Sequence, residues 1–263
     1  MNTDDIWVSV EKLTKSYLAL NLHEDIDYDK FYLYSIVTHS TAIEGSTLTE
    51  KDTQMLLDYG ITAQGKPLLH HLMNKDLKTA YDYVIAMAKE KRPLTVDFLK
   101  KLNGLAMKST GSEVSVMAGN FDSSKGDFRL CSVRAGIDGK SYIAYQKVPS
   151  RTEELCVALN ERLKDFEKKS LRQQYEISFD AHLDLVTVHP WVDGNGRTSR
   201  LLMNFLQFYQ GLVPINIRKE HKGEYIETIM KFQDTEDRKP FHLFMTTQLA
   251  CFLKAEVQST QNH

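Results

Sequence analysis

Cysteine is scarce: Cys131, Cys156 and Cys251 stand far apart, with no CxxC spacing among them. A disulfide framework or a cysteine zinc site has nothing to be built from, and the pattern suits a reducing compartment, expected to be the cytoplasm. Long apolar runs are missing as well. No window approaches the roughly 18 consecutive apolar residues of a membrane span. The first residues, MNTDDIWVSVEKL, are acidic where an export signal is cationic and then apolar. Neither a membrane-spanning chain nor an exported one is expected. Charge of one sign is not in surplus: 33 Lys and Arg face 35 Asp and Glu, a formal net charge of -2, and the basic residues are scattered. Nucleic acid is therefore not an expected partner. Repeats, low-complexity segments and flexible linkers are also wanting, so the 263 residues read as a single compact domain able to bury a sizeable core.

What the sequence does have is helical spacing. Residues about 5 to 22 and 28 to 43 carry apolar side chains three and four apart, as in Phe31, Tyr34, Ile36 and Val37, and the second run stops at Gly45. Thr49 is an N-cap for EKDTQMLLDYG, which closes on Gly60. Amphipathic runs follow from Pro67 to Glu90 and from Leu94 to Met107. Between Gly119 and Pro149 the texture changes. FRLCSVRAGIDGKSYIAYQKV is rich in β-branched and aromatic residues, and Asp138-Gly139 is a tight-turn dipeptide, so a hairpin is predicted there. Helical spacing resumes over Thr152 to Glu167, Tyr175 to His189, Thr198 to Gln210 and Glu224 to Lys231, before a tail, EVQSTQNH, that reads as frayed. The expected fold is all-α with a small β-hairpin.

One stretch is a poor recipe for a core: HPWVDGNGRTSR, His189 to Arg200. Proline disfavours the α region for its predecessor, so His189 should end the preceding helix, where the macrodipole would make its imidazole a stronger base. Asp193, in a loop, is free to face a hard divalent cation. Gly194, Asn195 and Gly196 lead into a helix, and glycines can turn successive N–H groups toward one point at the positive end of the dipole. Arg197 and Arg200 are three apart, which predicts one shared face and a bidentate grip on phosphate, opposite a core stripe of Leu201, Leu202, Phe205, Leu206 and Tyr209. Singly, each has a dull explanation as a cap, a turn or a solvated charge. Gathered in one stretch, they describe transfer of a phosphorus-centred group from a nucleotide to a hydroxyl.

The stretch resembles the signature of the Fic family, HPFxDGNGRxxR, departing only at Trp191, where the family usually has phenylalanine. The resemblance extends over about residues 94 to 231, through LTVDFLKKLNGLAM, GDFRLCSVRAGIDGKSYIAYQKVP and GEYIETI. It implies an all-helical Fic-type domain with a β-hairpin flap, moving AMP from ATP to a Ser, Thr or Tyr hydroxyl of a target protein. It also implies His189 as general base, Asp193 as the Mg²⁺ ligand, Gly194 to Gly196 as the α-phosphate cradle with Asn195 fixing it, and Arg197 and Arg200 as the clamp on the β- and γ-phosphates. In the related Doc kinases a lysine replaces the second glycine, so Gly196 argues against that branch.

STAIEG, Ser40 to Gly45, sets Ser40 and Glu44 one helical turn apart with a glycine where the helix ends. It resembles the family's inhibitory motif, (S/T)xxxE(G/N), which implies that Glu44 pairs with Arg200 and blocks productive γ-phosphate binding. On this reading residues 1–93 are a helical region carrying the inhibitory motif, 94–231 the catalytic core and 232–263 a C-terminal helix and tail. An exposed flap edge near Ile137 to Tyr145 could pair with an extended target segment, or be an ordinary packed hairpin. Tyr225 is a candidate beside the adenine, with a simple core role as the alternative. Two rival functions stay open: removal of AMP from a modified protein at the same site, and a catalytically quiet module that senses ATP. GNGRTS lacks the third glycine of a dinucleotide fingerprint, and Gly139-Lys140-Ser141 has Arg134 where a P-loop needs glycine. His70, His71 and the pair His182 and His189 lack the HExxH or cysteine partners of a metal site. The target protein, the relieving signal and any homo-oligomeric state are not written in the sequence.

Overall fold

The computed structural model describes residues 3–20, 28–134, 139 and 141–261. Eleven helices and one short hairpin account for the regular structure among them, with α1 Thr3–Leu18, α2 Tyr28–Phe31, α3 Leu33–Ile43, α4 Glu50–Tyr59, α5 Leu68–Lys89 and α6 Val96–Ala106 coming first. Strands β1 Glu113–Val116 and β2 Gly119–Asp122 follow, and then α7 Val148–Leu163, α8 Leu171–Val188, α9 Asn195–Gln210, α10 Lys222–Thr235 and α11 Lys239–Gln261. Local chemistry explains the boundaries. Thr49 caps α4 through a reciprocal pair with Asp52, and Gly60 ends it in the left-handed region at φ 70°. Ser170 and Gln173 make the same reciprocal cap on α8, and the Thr95 hydroxyl accepts from the Phe98 amide at the start of α6.

Helix α9 lies at the centre, with α8 and α5 along its flanks and α6 and α3 against it. Every side chain from Arg197 to Gln207 is buried, including Thr198, Ser199, Asn204 and Gln207. The sequence predicts a two-faced helix; the structure surrounds it. Most of its polar residues survive there by finding a partner, as Asn204 does on the Ile215 carbonyl and Gln207 on Ser178, while the Ser199 hydroxyl has none among the described residues. The apolar core runs without a break from Trp7 on α1 to Val257 on α11. Helix α11 is tied to α8 by Arg238 on Asp184 at 2.6 Å and His242 on Asp180 at 2.8 Å. It stays helical to Gln261, through the stretch expected to fray. No described helix is long and apolar enough to cross a membrane.

A hairpin forms upstream of the one that the sequence places at Asp138-Gly139. Glu113 pairs with Asp122 and Val116 with Gly119, closed by Met117 and Ala118, upstream of the β-rich texture. That later stretch holds a single antiparallel bridge, Arg134 to Ser141, among the described residues. Asp138 and Ile137 lie outside them.

One glycine locks the floor of the motif. Gly126 has φ 76°, a Cβ on it would overlap the Lys100 carbonyl oxygen and lie 2.9 Å from the Gly104 amide, and its own carbonyl accepts from Trp191 Nε1 at 3.0 Å. G126A should therefore cost about 3 kcal/mol or more, lowering the melting temperature by roughly 10 °C. G211A, at φ 70° with open space around it, should cost only about 1–2 kcal/mol. Thermal melts of the two variants check the contrast; equal losses would show that backbone conformation alone, not the close approach, matters at Gly126.

Candidate active site

Helix α8 delivers His189 as its C-terminal cap, in the left-handed region at φ 51° and ψ 61°, a conformation that costs a non-glycine residue about 1–2 kcal/mol. Its amide still bonds Leu185 at 3.0 Å, and its carbonyl accepts from Arg129 Nε at 2.8 Å. Nδ1 lies 3.2 Å from the Val186 carbonyl, which can only accept, so that nitrogen carries the proton and Nε2 keeps its lone pair. Tyr142 stacks on the imidazole, with ring centroids 3.7 Å apart and planes 15° from parallel.

Burial pushes the His189 pKa down to about 4, helped by the Arg129 cation, while the Val186 bond, Asp193 and Glu44 oppose the shift. The sequence argument expects a stronger base at a helix end. The local carbonyl does act in that direction, but desolvation of the imidazolium is larger. The consequence is a base that is neutral at physiological pH.

The loop after His189 is held from within. Trp191 is fully buried, its amide donates to Asn195 Oδ1 at 3.1 Å, and Asn195 Nδ2 donates back to the Trp191 carbonyl at 2.9 Å. Asn195 thus fixes the loop through both ends of its amide. Gly194 takes φ 79°, and a Cβ on it would stand 2.7 Å from Asn103 Nδ2 and 2.9 Å from Met107 Sδ. Asp193 keeps its carboxylate mostly in solvent, with Oδ1 2.5 Å from the Gly194 amide. Among the described residues no trio of His, Cys, Asp and Glu gathers to hold a metal. A single open carboxylate fits Mg²⁺ that arrives on phosphates, an ion commonly held by one or two carboxylates plus substrate oxygens.

The arginines part company. Arg197 is buried toward the end of α6, with Nη1 on the Ala106 carbonyl at 3.2 Å and Nη2 2.9 Å from Met107 Sδ and 3.5 Å from Asp193. Arg200 turns instead to α3: Nε donates to Ser40 Oγ at 2.8 Å, and Nη2 to the Ser40 carbonyl at 2.9 Å and to Glu44 Oε1 at 2.6 Å. The shared phosphate-gripping face predicted from their spacing is not formed here, because each guanidinium follows its nearest buried acceptors. Glu44 caps α3 just before Gly45, which takes φ 103°. Burial would raise its pKa, but Arg200, with Arg197 and Lys222 behind it, holds the carboxyl below its ordinary value. A Cβ on Gly196 would lie 2.6 Å from Glu44 Oε1, so the carboxylate sits over the first turn of α9, where an anion is favoured.

Tyr225 combines the two roles considered for it, lining a cavity while being buried. It is buried behind Arg200, its hydroxyl 3.3 Å from Nη1 and 2.8 Å from His182 Nε2. Arg200 can only donate, so the tyrosine hydroxyl donates onward to His182. Burial and Arg200 drop the His182 pKa to about 3, which leaves that ring neutral. His70 and His71 serve loops, accepting from the Thr47 and Ala63 amides.

Glu44, Tyr142, His189, Gly196, Arg200 and Tyr225 open onto one cavity of about 450 Å³. Glu44, His189, Gly196 and Arg200 form its polar end, and Ile226, Ile229 and Met230 of α10 an apolar wall. Asn195, Arg197, Asp193 and Tyr145 do not line it; Tyr145 is half-buried in a single 3-10 turn, Tyr145–Lys147. Sequence reasoning missed Tyr142, Arg129 and Lys222, and weighed His182 only as a metal ligand. Arg129 and Tyr142 lie in the stretch read as a hairpin, and the two cations carried no motif signal.

Comparison with known proteins bears on the same region. Residues 93–207 match the profile of the Fic/DOC family. The chain is similar to the proteins named protein adenylyltransferase Fic from Drosophila willistoni, 30% identical over 216 residues, and Drosophila melanogaster, 29% over 211 residues. Each match covers 80% of this chain, which spans only 38% and 39% of those relatives' lengths. Among solved structures, a Fic domain containing signaling protein from Bacteroides thetaiotaomicron superposes with a TM-score of 0.79 at 22% identity, covering 97% of each chain. Fic-1 from C. elegans gives 0.78 at 20%, covering 99% of this chain and 73% of that one. These two show a shared fold.

The neutral His189 has a measurable signature. Its folded pKa near 4 lies below an ordinary histidine value of about 6.5. Between those limits the unfolded chain binds a proton that the native state refuses, so stability should fall as pH drops through this window. Nuclear magnetic resonance should show the His189 ring titrating near pH 4, and H189Q should flatten the pH dependence of the urea midpoint between 4 and 6.5. A ring titrating at 6.5 or above would contradict the burial argument.

Proposed function

The chain belongs to the Fic/DOC family, and from that premise we propose that it is a protein adenylyltransferase restrained by Glu44. It would move AMP from ATP to a Ser, Thr or Tyr hydroxyl of a target protein in the cytoplasm. The observation that carries this reading is that His189, with Nε2 unprotonated, shares one cavity with the first turn of α9 and with Arg200. In the proposed step the target hydroxyl oxygen attacks the α-phosphorus, its proton passes to His189 Nε2, and the bond from the α-phosphorus to the bridging oxygen breaks to release pyrophosphate. The amides of Gly194 to Gly196 face the α-phosphate at the positive end of α9. Arg200 takes the distal phosphates, Arg197 and Asn195 support the loop beneath them, and Ile226, Ile229 and Met230 cover the base. Asp193 is the carboxylate that would hold Mg²⁺, which supplies charge neutralisation on the phosphates.

Glu44 competes for the same place. Its carboxylate occupies Arg200 Nη2 and the space above Gly196, so a distal phosphate has to displace an anion already paired at 2.6 Å. We read residues 1–93 as the region that presents this glutamate, 94–231 as the catalytic core and 232–263 as its C-terminal brace. A second reading draws on one further observation: Glu44 stays anionic yet its side chain is 34% exposed. It could therefore orient water for removal of AMP from a modified protein.

Incubation of purified protein with labelled ATP, Mg²⁺ and a cell lysate tests the proposal. E44G should raise label transfer at least about tenfold, the scale of removing one competing ion pair, and E44G/H189A should return it to background. Transfer that E44G leaves unchanged would remove the inhibitory role. ATP binding without transfer in either variant would favour the quiet sensing module.

A further inference from the structure

Arg129 lies outside the motif, 60 residues before His189, between β2 and α7. Its side chain is fully buried, and no carboxylate pairs with it among the described residues. Every donor group instead ends on a main-chain oxygen. Nε bonds His189 at 2.8 Å, Nη1 bonds Cys131 at 2.8 Å and Nη2 bonds Ile143 at 2.7 Å. Its own amide donates to the Pro190 carbonyl at 3.0 Å. A buried cation without an acid is costly, and a protein that needed only volume there would do better with an aliphatic side chain. The planar guanidinium is what allows three carbonyls to be bonded at fixed angles at once.

Those carbonyls belong to two parts of the chain that must agree. One is the peptide of His189, whose left-handed conformation orients that oxygen toward Arg129. The others, on Cys131 and Ile143, are the two arms of the segment whose Tyr142 lies on the imidazole. Tyr142 is itself anchored by its amide on the Val133 carbonyl at 3.1 Å.

We infer that Arg129 is the positioning residue that holds the His189 imidazole in register with the two arms facing it, so that a hydroxyl presented along those arms meets Nε2. The inference rests on the AMP-transfer reading. It assigns to Arg129 no contact with nucleotide or target; its effect passes through the His189 peptide and the Cys131 and Ile143 carbonyls. Lysine supplies one ammonium in place of the fork, and methionine supplies only volume.

Three proteins test it: E44G, E44G/R129K and E44G/R129M. Relative to E44G, R129M should lower kcat for label transfer about 100-fold, the scale of a roughly 1 Å misplacement of a base, with KM for ATP within about twofold. R129K should fall between the two. The charged groups that set His189 titration are Arg129 on one side and Asp193 and Glu44 on the other. In the E44G background R129M should therefore move the His189 titration midpoint upward, and R129K should leave it near that of E44G. A kcat within threefold of E44G in R129M overturns the inference. So does a parallel loss of kcat, ATP affinity and melting temperature with an unmoved His189 midpoint, which would mark Arg129 as scaffold alone. Should R129M not fold, R129K decides, since its kcat must drop while its ATP affinity and melting temperature hold. If the E44G parent transfers no label, it is the transferase reading that fails, and the titration of His189 still reports on Arg129.

Discussion

A guanidinium cut off from water has to be fully partnered, and Arg200 is the group on which this structure turns. It sits at 4% exposure on the central helix, and its donors reach Ser40 and Glu44 on α3 and Tyr225 on α10. Three elements distant in sequence are thereby tied to one side chain. Helix α3 buries polar side chains, Thr38, Ser40 and Thr41, alongside its apolar ones. Thr38 bonds Thr53, and Thr41 and Thr53 both reach Asn74. A satisfied polar network of this kind fixes position more sharply than apolar packing, which tolerates sliding.

The two ionisable groups at the polar end of the cavity respond to burial in opposite ways. Burial alone would neutralise both. His189 has a cation behind it, in Arg129, and is pushed further toward neutrality; Glu44 has Arg200 within hydrogen-bonding reach and stays charged. The outcome is a free lone pair and a fixed negative charge in one 450 Å³ space. That combination suits a site that can remove a proton yet is unwelcoming to phosphate.

What could be read in the sequence was what is local. His-Pro places the helix end and Gly-Asn-Gly the turn into α9, because each depends on neighbours within a few residues, whereas the pairing of Glu44 with Arg200, 156 residues away, was legible only through the family resemblance. The helical fold with a small hairpin was legible from periodicity for the same reason. The rest is set at long range. Arg197 and Arg200 are three apart, but their directions are chosen by Met107 and Ser40, which no spacing rule sees. Tyr225 has the spacing of a helical face residue, and only the packing of α10 beside α8 turns it to His182. The strand pair at Glu113 to Asp122 went unread because it is too short to stand out.

The bare backbone at Gly196 leaves a single atom's worth of room beneath the Glu44 carboxylate, since a Cβ there would lie 2.6 Å from Oε1. On the proposed reading, restraint and nucleotide binding draw on that same room. Bulk added at this position would then press on the glutamate and on an incoming phosphate alike, whereas a change on α3 would touch the glutamate alone.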